Sequence, residues 1–307
     1  MTTWRAPVPG EVPVDAVRVP AQVQAQDPAP AAPTITPRPA VQPAQAGPAR
    51  ALAAVAPLRR WSSRQQEFER TDDLFAFARR LQPAADAGDA EARWLVSRVH
   101  EYCGGYARAP VDYERDTALM AQIGPRVARP LGEARSRVAA RCVRFLPDDV
   151  AGFVQLVAQR QDAALAGSLA AEAALLTMGE PLDDDDLYRR DLVERVQASR
   201  DPEAYMALAP AMGLAAADDV ALAGTVAGTQ ASELAWQVAA CRLGLDCSQT
   251  GALMTQYCAN GGICARAPQQ DFSTFVRQAA GSPQDADEVD QMVNMLVVEQ
   301  PLGMVMR

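Results

Sequence analysis

The sequence contains no lysine and only one histidine, and these two absences exclude several kinds of chemistry. All 29 basic residues among its 307 are arginines. Without lysine the chain has neither a Walker A phosphate loop nor an amine for Schiff-base formation. With His100 alone, a zinc motif of two histidines is impossible, and any histidine-based catalytic triad would have to use that residue.

Glycine spacing, charge and hydropathy exclude further classes of protein. No two glycines stand two residues apart, which removes the G-x-G-x-x-G dinucleotide fingerprint, and no G-x-S-x-G nucleophile elbow occurs. The net charge is −9, whereas nucleic-acid binding needs clustered positive charge. No apolar run approaches the roughly 18 residues of a membrane helix. We therefore expect no nucleic-acid partner, no membrane span and no cofactor.

The first 60 residues differ in composition from the rest of the chain. Of the 23 prolines, 12 lie before residue 58, and large apolar side chains are few. Proline interrupts the hydrogen bonding of helices and sheets, and a segment with little apolar surface cannot form a core. The composition predicts a disordered Pro/Ala-rich linker over residues 1–60 and an all-helical, disulfide-containing domain over residues 61–307.

The sequence as given begins without the apolar h-region of a signal peptide. Linkers of this composition commonly connect a membrane anchor to a folded domain. We therefore expect that an anchor or export signal, if the natural product has one, lies upstream of Met1.

Short amphipathic helices separated by Gly, Pro and Asp begin after Trp61. Thr71 is predicted to cap one helix and Asp89 the next, which Gly104-Gly105 is predicted to end. Similar helix openings, a polar cap followed by Glu and small alanines, recur near residues 87, 166 and 199. No run of alternating β-branched residues is present. The pattern predicts an all-α fold, an irregular stack of antiparallel helical hairpins, although unrelated helix starts in an Ala-rich chain would look the same.

Two segments resemble the Sel1-like repeat, a relative of the tetratricopeptide hairpin. The run Ala87-Gly88-Asp89-Ala90-Glu91-Ala92 followed by Trp94-Leu95 looks like the first helix of such a repeat. The run from Ala239 to Cys247 is similar to the helix junction of cysteine-rich Sel1-like proteins, with a narrower cysteine spacing. The resemblance covers residues 71–103 and 231–258. It implies an α-solenoid-like interaction module with no catalytic residues to carry over.

The six cysteines are the strongest indication of a compartment. An even number with close pairs favours disulfides and thus an oxidising compartment such as the periplasm. Free cytosolic thiols are one alternative. A zinc site built from the last four cysteines is another, although both inner gaps hold five residues, more than zinc knuckles favour. The six are Cys103, Cys142, Cys241, Cys247, Cys258 and Cys264.

Helix geometry predicts how the cysteines pair. Cys241 and Cys247 flank a turn between two helices, whereas Cys258 lies roughly 15 Å away at the far end of the second helix. A disulfide needs Cα atoms within about 7 Å, which favours 241–247 over 241–258. Cys258 then meets Cys264 through a reversal at Gly261-Gly262. Cys103 is left to pair with Cys142.

Two further groups of residues are candidates for a site. His100 and Cys103 stand three apart on one helix and could in principle form a Cys–His nucleophile, but a histidine at a helix end and a bridged cysteine explain the pair equally. The run Asp183 to Asp186 lacks the spacing of an EF-hand, and we interpret it as the solvated start of a helix. Trp94, Trp236, Phe272 and Phe275 lie on apolar faces and are predicted to be core residues.

Glu233 is the candidate catalytic residue of the alternative function. Ser232-Glu233, followed by Gly251-Ala252-Leu253-Met254-Thr255-Gln256, is similar to lytic transglycosylases, in which a glutamate acid precedes a Gly-Leu-Met-Gln run. The match is imperfect, because the Glu-Ser order is reversed and Thr255 interrupts the run. Glu233 also fits the first turn of a helix capped by Ser232.

The sequence leads to one main prediction of function and one alternative. The main prediction is a non-catalytic protein of the periplasm or cell envelope that acts as a helical-hairpin module and binds another envelope protein. The alternative is a peptidoglycan-cleaving enzyme that uses Glu233. A cytoplasmic location is the alternative compartment.

Overall fold

A computed structural model describes residues 62–122, 125–267, 269–279 and 282–297. These residues form α-helices and short 3-10 turns without strands, so the predicted all-α class is confirmed for this part of the chain. The predicted linker over residues 1–60 lies outside the described residues.

Thirteen helices occur in the described part. The first seven are α1 (Ser63–Arg70), α2 (Leu74–Asp86), α3 (Ala90–Ala107), α4 (Pro110–Met120), α5 (Pro125–Cys142), α6 (Phe153–Leu165) and α7 (Leu169–Thr177). The others are α8 (Asp186–Ser199), α9 (Pro202–Leu208), α10 (Gln230–Leu243), α11 (Ala252–Gly261), α12 (Phe272–Ala279) and α13 (Pro283–Val297). Between α9 and α10 the chain makes three 3-10 turns, at residues 209–212, 214–216 and 220–222.

The helix starts follow from capping chemistry. Asp89 caps α3 as predicted, since its carboxylate accepts the N–H of Ala92 at 2.9 Å. The predicted cap at Thr71 is wrong, because that residue follows the end of α1 and Asp73 caps α2. The predicted cap at Ser232 is wrong as well. Thr229 caps α10, and Ser232 completes a capping box at the third helical residue.

The predicted end of α3 at Gly104-Gly105 is also wrong. The helix continues through both glycines to Ala107. Tyr106 and Ala107 are buried, and burying them offsets the cost of about 1 kcal/mol for each glycine inside a helix. Packing at the C-terminal end of α3 therefore overrides the local preference to stop.

Helices that are consecutive in the chain pack together in some places and not in others. α2 packs against α3, and α6 packs against α7. α10 packs against the preceding α9 and, more extensively, against α13, whereas the next helix, α11, packs against α5. The core between the helices is filled by large side chains that are at most 1% exposed, among them Phe68, Phe77, Leu95, Leu175, Tyr205 and Trp236.

Arg135 fixes the position of α11 relative to α4 and α5. Its guanidinium lies 3.7 Å from the ring centroid of Tyr113 and donates to the carbonyl oxygens of Tyr113 and Ala259, at 2.9 and 3.3 Å. Its Nε donates to the hydroxyl of Thr117 at 2.6 Å. A buried arginine bonded in this way holds three helices in one arrangement.

The six cysteines form three disulfides, and the pairs are those that helix geometry predicts. Cys103–Cys142 joins α3 to α5, with the Cα atoms 5.4 Å apart. Cys241–Cys247 spans the turn after α10, and Cys258–Cys264 closes the loop after α11, with Cα separations of 5.6 and 4.4 Å. The four cysteines considered as zinc ligands are thus all bonded in disulfides, so none of them has a thiolate to bind the metal.

Candidate functional site

A cleft of about 620 Å³ opens among α1, α3, α6, α7, α9 and α11, with Pro210 just after α9 also in its wall. One end is polar, with Glu69, Arg98, Glu101 and Arg160, and the lining also includes apolar side chains, those of Met206, Pro210, Leu253 and Ile263. Its volume lies in the range of sites that bind ligands.

Glu69 reaches the cleft because its neighbour Phe68 is anchored in the core. Phe68 is 1% exposed and packs edge-on against Tyr102. The backbone N–H of Ala252, at the start of α11, donates to Oε2 of Glu69 at 2.9 Å. No hydrogen bond to Oε1 and no ion pair to this carboxylate occur within the described part of the chain.

Two arginines and two glutamates form a neutral network at the polar end. Arg98 pairs with Glu203, whose side chain is 1% exposed, and Arg160 pairs with Glu101 at 2.8 Å. The ring of Trp94 lies beside both guanidinium groups, whose carbons are 5.7 and 5.4 Å from its centroid. Cation–π contact and ion pairing together compensate the burial of the two guanidinium groups and of the Glu203 carboxylate.

The pKa of Glu69 is raised to about 7, mainly because burial disfavours the carboxylate. The hydrogen bond from Ala252 and the charge of Arg98 lower the pKa and only partly offset burial. Burial also raises the pKa of Glu203, again against the effect of Arg98. At neutral pH the Glu69 side chain is therefore divided between its protonated and ionised forms.

One face of α11 forms a wall of the cleft. Leu253, Gln256, Tyr257 and Asn260 lie at helical spacing along that face. The carboxamides of Gln256 and Asn260 make no hydrogen bond to other described residues. The cleft is therefore lined by two amide side chains, the half-buried Gln256 and the exposed Asn260, that have no hydrogen-bond partner among the described residues.

The disulfide Cys258–Cys264 shapes the end of this wall. It ties the last turn of α11 to the loop in which Gly261 and Ile263 line the cleft. Between them, Gly262 has φ +67°, a left-handed conformation that glycine adopts without strain. The disulfide therefore fixes a loop that contributes directly to the site.

The residues considered from sequence as catalytic lie outside the cleft. His100 bonds to Gln159 at 3.0 Å, burial lowers its pKa, and Cys103 is bridged, so the two do not form a nucleophile. Glu233 is half-buried, and burial raises its pKa. It reaches the cleft only indirectly, because Gln237 bonds to both Glu233 and the Tyr257 hydroxyl, at 3.4 and 2.9 Å.

The acidic run acts as predicted at the start of a helix. Asp185 caps α8 by accepting the N–H of Tyr188 at 2.6 Å, and Arg189 pairs with Asp184 and Asp186. Among the residues the structure describes, no group of three or more His, Cys, Asp or Glu side chains is placed to hold a metal ion. No helix in the same ranges is long and apolar enough to cross a bilayer.

The aromatic residues predicted for the core are buried or nearly so. Trp236, Trp94 and Phe272 are at most 3% exposed, and Phe275 is partly buried against the core. Trp94 also lines the cleft. Glu69, Arg98, Arg160 and Glu203 were not among the site residues predicted from the sequence. The available signal was Arg98, an arginine within the apolar stripe of α3.

Comparison of the chain with protein-family models, with curated proteins and with solved structures finds no match.

Proposed function

We propose that this chain is a non-catalytic binding protein of an oxidising compartment outside the cytoplasm, the periplasm or cell envelope, and that its cleft holds a segment of a partner protein. Three disulfides support the compartment, because structural disulfides persist where thiols are not kept reduced. The resemblance to Sel1-like interaction modules supports the class of function.

One observation carries the proposed binding role. Gln256 and Asn260 line the cleft next to the apolar side chains of Leu253 and Tyr257, and their carboxamides make no hydrogen bond to other described residues. A carboxamide offers a donor and an acceptor, which is the complement of a peptide group. Apolar contacts with a few placed polar groups are what a binding site needs.

Site-specific photocrosslinking tests the proposal. A photoreactive amino acid replaces Asn260 in the cleft, or Glu133 on the exposed side of α5 as the matched control. We expect a defined protein adduct from position 260 and none from position 133. The same adducts from both positions, or an adduct to glycan from position 260, would overturn the proposal.

A peptidoglycan-cleaving enzyme is the second candidate, and the position of Glu69 favours it. This carboxyl lines the cleft and is partly protonated at neutral pH, as a general acid must be. Glu233, the residue that the sequence suggests for this role, does not line the cleft. A zymogram of the wild type, Glu69→Gln and Glu233→Gln separates the candidates. If the wild type clears the peptidoglycan and either substitution abolishes the clearing, the enzymatic function replaces the binding proposal. If the wild type clears nothing, the result supports the binding proposal.

A further inference from the structure

The charges at the polar end of the cleft leave one carboxylate unbalanced. Arg98 and Arg160 are paired with Glu203 and Glu101, respectively. Glu69 has no ion pair within the described residues, so its ionised form is the surplus charge of the site. A complementary ligand supplies one positive charge there.

The polar groups along α11 match the repeat of an extended peptide. Gln256 and Asn260 are four residues apart, or about 6 Å along a helix axis. Alternate residues of an extended chain are about 6.6 Å apart. Glu69 bonds to Ala252, which precedes Asn260 by eight residues, or about 12 Å. About four extended residues cover that distance.

We propose, on the basis of the proposed function, that the cleft takes an extended stretch of about four residues of the partner protein along α11. In this arrangement a basic side chain lies against the Glu69 carboxylate. Gln256 and Asn260 pair with the partner's main chain. An apolar side chain of the partner packs on Leu253 and Tyr257.

Cation binding at this position is coupled to a proton. A positive charge beside Glu69 favours its carboxylate form. A basic peptide that binds near pH 7 therefore releases the proton from those molecules in which Glu69 is protonated. Only about a tenth of the carboxyl groups are ionised at pH 6 and about nine tenths at pH 8, given the pKa of about 7. Affinity for a basic peptide should therefore rise about tenfold between these pH values. The other groups that act electrostatically on Glu69 or respond to it are Arg98, Tyr102, Glu203 and Asp246.

The test uses two capped peptides, acetyl-Arg-Ala-Leu-Ala-amide and acetyl-Ala-Leu-Ala-Arg-amide, which allow either chain direction. Citrulline replaces arginine in the matched controls, because it is nearly the same size but uncharged. Binding is followed through the methyl resonance of Met206, which lines the cleft, with Met120 on α4 as the reference. We expect an arginine peptide to shift Met206 and to bind about tenfold more tightly at pH 8 than at pH 6.

The controls separate this inference from the proposed function. The citrulline peptides should bind more weakly and without the pH dependence, and Glu69→Gln should remove the pH dependence for arginine peptides. Equal binding of arginine and citrulline peptides at both pH values would overturn the inference and leave the proposed function standing. No shift of Met206 by any of the peptides, with a protein adduct at position 260, would also overturn the inference alone. Absence of both signals would overturn the two proposals together.

Discussion

The Glu69 carboxylate accepts the backbone N–H of Ala252 at 2.9 Å and so joins α1 to the first turn of α11. The two residues are 183 positions apart in the sequence. The N-cap of α11 is Gly251, which has no side chain to accept the first N–H groups of the helix. Glu69 therefore stabilises the start of α11, and the same side chain lines the cleft.

The stability of the fold should depend on pH through Glu69. Its pKa is about 7 in the folded protein, against about 4.5 when unfolded. The contribution of the protonated Glu69 carboxyl to the free energy of unfolding is thus fully present below pH 4.5 and is lost as the pH rises through 7. The Glu69→Gln variant keeps a side-chain oxygen that accepts the N–H of Ala252, but it cannot ionise and so does not lose stability as the pH rises. We expect it to gain about 1–3 kcal/mol relative to wild type between pH 4.5 and pH 8.

Urea unfolding at both pH values measures this difference. Glu67→Gln is the matched control, because it lies on the same helix with its side chain 47% exposed and paired with Arg80. The control should follow the wild type within about 0.5 kcal/mol. Parallel pH dependence of Glu69→Gln and the wild type would show that Glu69 is not a buried acid.

The buried Arg98–Glu203 pair should show strong coupling. The two side chains are 13% and 1% exposed. Arg98→Met leaves the Glu203 carboxylate buried without its partner, and we expect a loss of about 3–5 kcal/mol in the free energy of unfolding. Replacing Glu203 by Met as well removes the unpaired charge and should recover more than half of that loss.

A double-mutant cycle on unfolding free energies checks this coupling. Arg129→Met, at the exposed pair with Glu133, is the control and should change stability by less than about 1 kcal/mol. If the losses of unfolding free energy caused by the two single substitutions simply add in the double variant, Arg98 and Glu203 are not coupled, and the prediction is wrong.

The disulfides should differ in their contribution to stability. Cys103–Cys142 closes a loop with a sequence separation of 39, whereas each of the other two bridges spans 6. On the chain-entropy model the long loop contributes about 4 kcal/mol and each short one about 2. We therefore expect Cys103→Ser to be the most destabilising single cysteine change.

Thermal and urea unfolding of the three paired Cys→Ser variants give the order directly. The variant that lacks Cys241–Cys247 serves as the size-matched comparison for the one that lacks Cys258–Cys264. A smaller loss on removing Cys103–Cys142 than on removing either short bridge would contradict the prediction.

Local chemistry made part of the fold predictable. Asp89 caps α3 and Asp185 caps α8 because a carboxylate before a run of helix formers satisfies free N–H groups. The cysteine pairs followed from the short distance that a disulfide can span, since the length of α11 separates Cys258 from Cys241. The wrong boundary at Gly104 came from the burial of Tyr106, whose ring packs edge-on against Tyr113 of the next helix, α4.

The cleft could not be predicted from local patterns. Arg98 and Glu203 are 105 residues apart, and Pro202-Glu203 reads as an ordinary helix start after Asp201. Glu69 lies in the last turn of a polar helix whose sequence gives no sign that Phe68 anchors it in the core. Tertiary packing brings these residues together, so their shared site becomes visible only in the structure.

The most direct measurement is the affinity of the protein captured at position 260 for a chain that carries both Gln256→Ala and Asn260→Ala. Two lost hydrogen bonds, at about 1 kcal/mol each, predict a dissociation constant about thirtyfold higher. The matched control, Gln155→Ala with Gln291→Ala, removes two exposed carboxamides outside the cleft and should change the constant less than about twofold. Equal affinities for wild type, control and cleft variant would contradict the account of this cleft as the binding site.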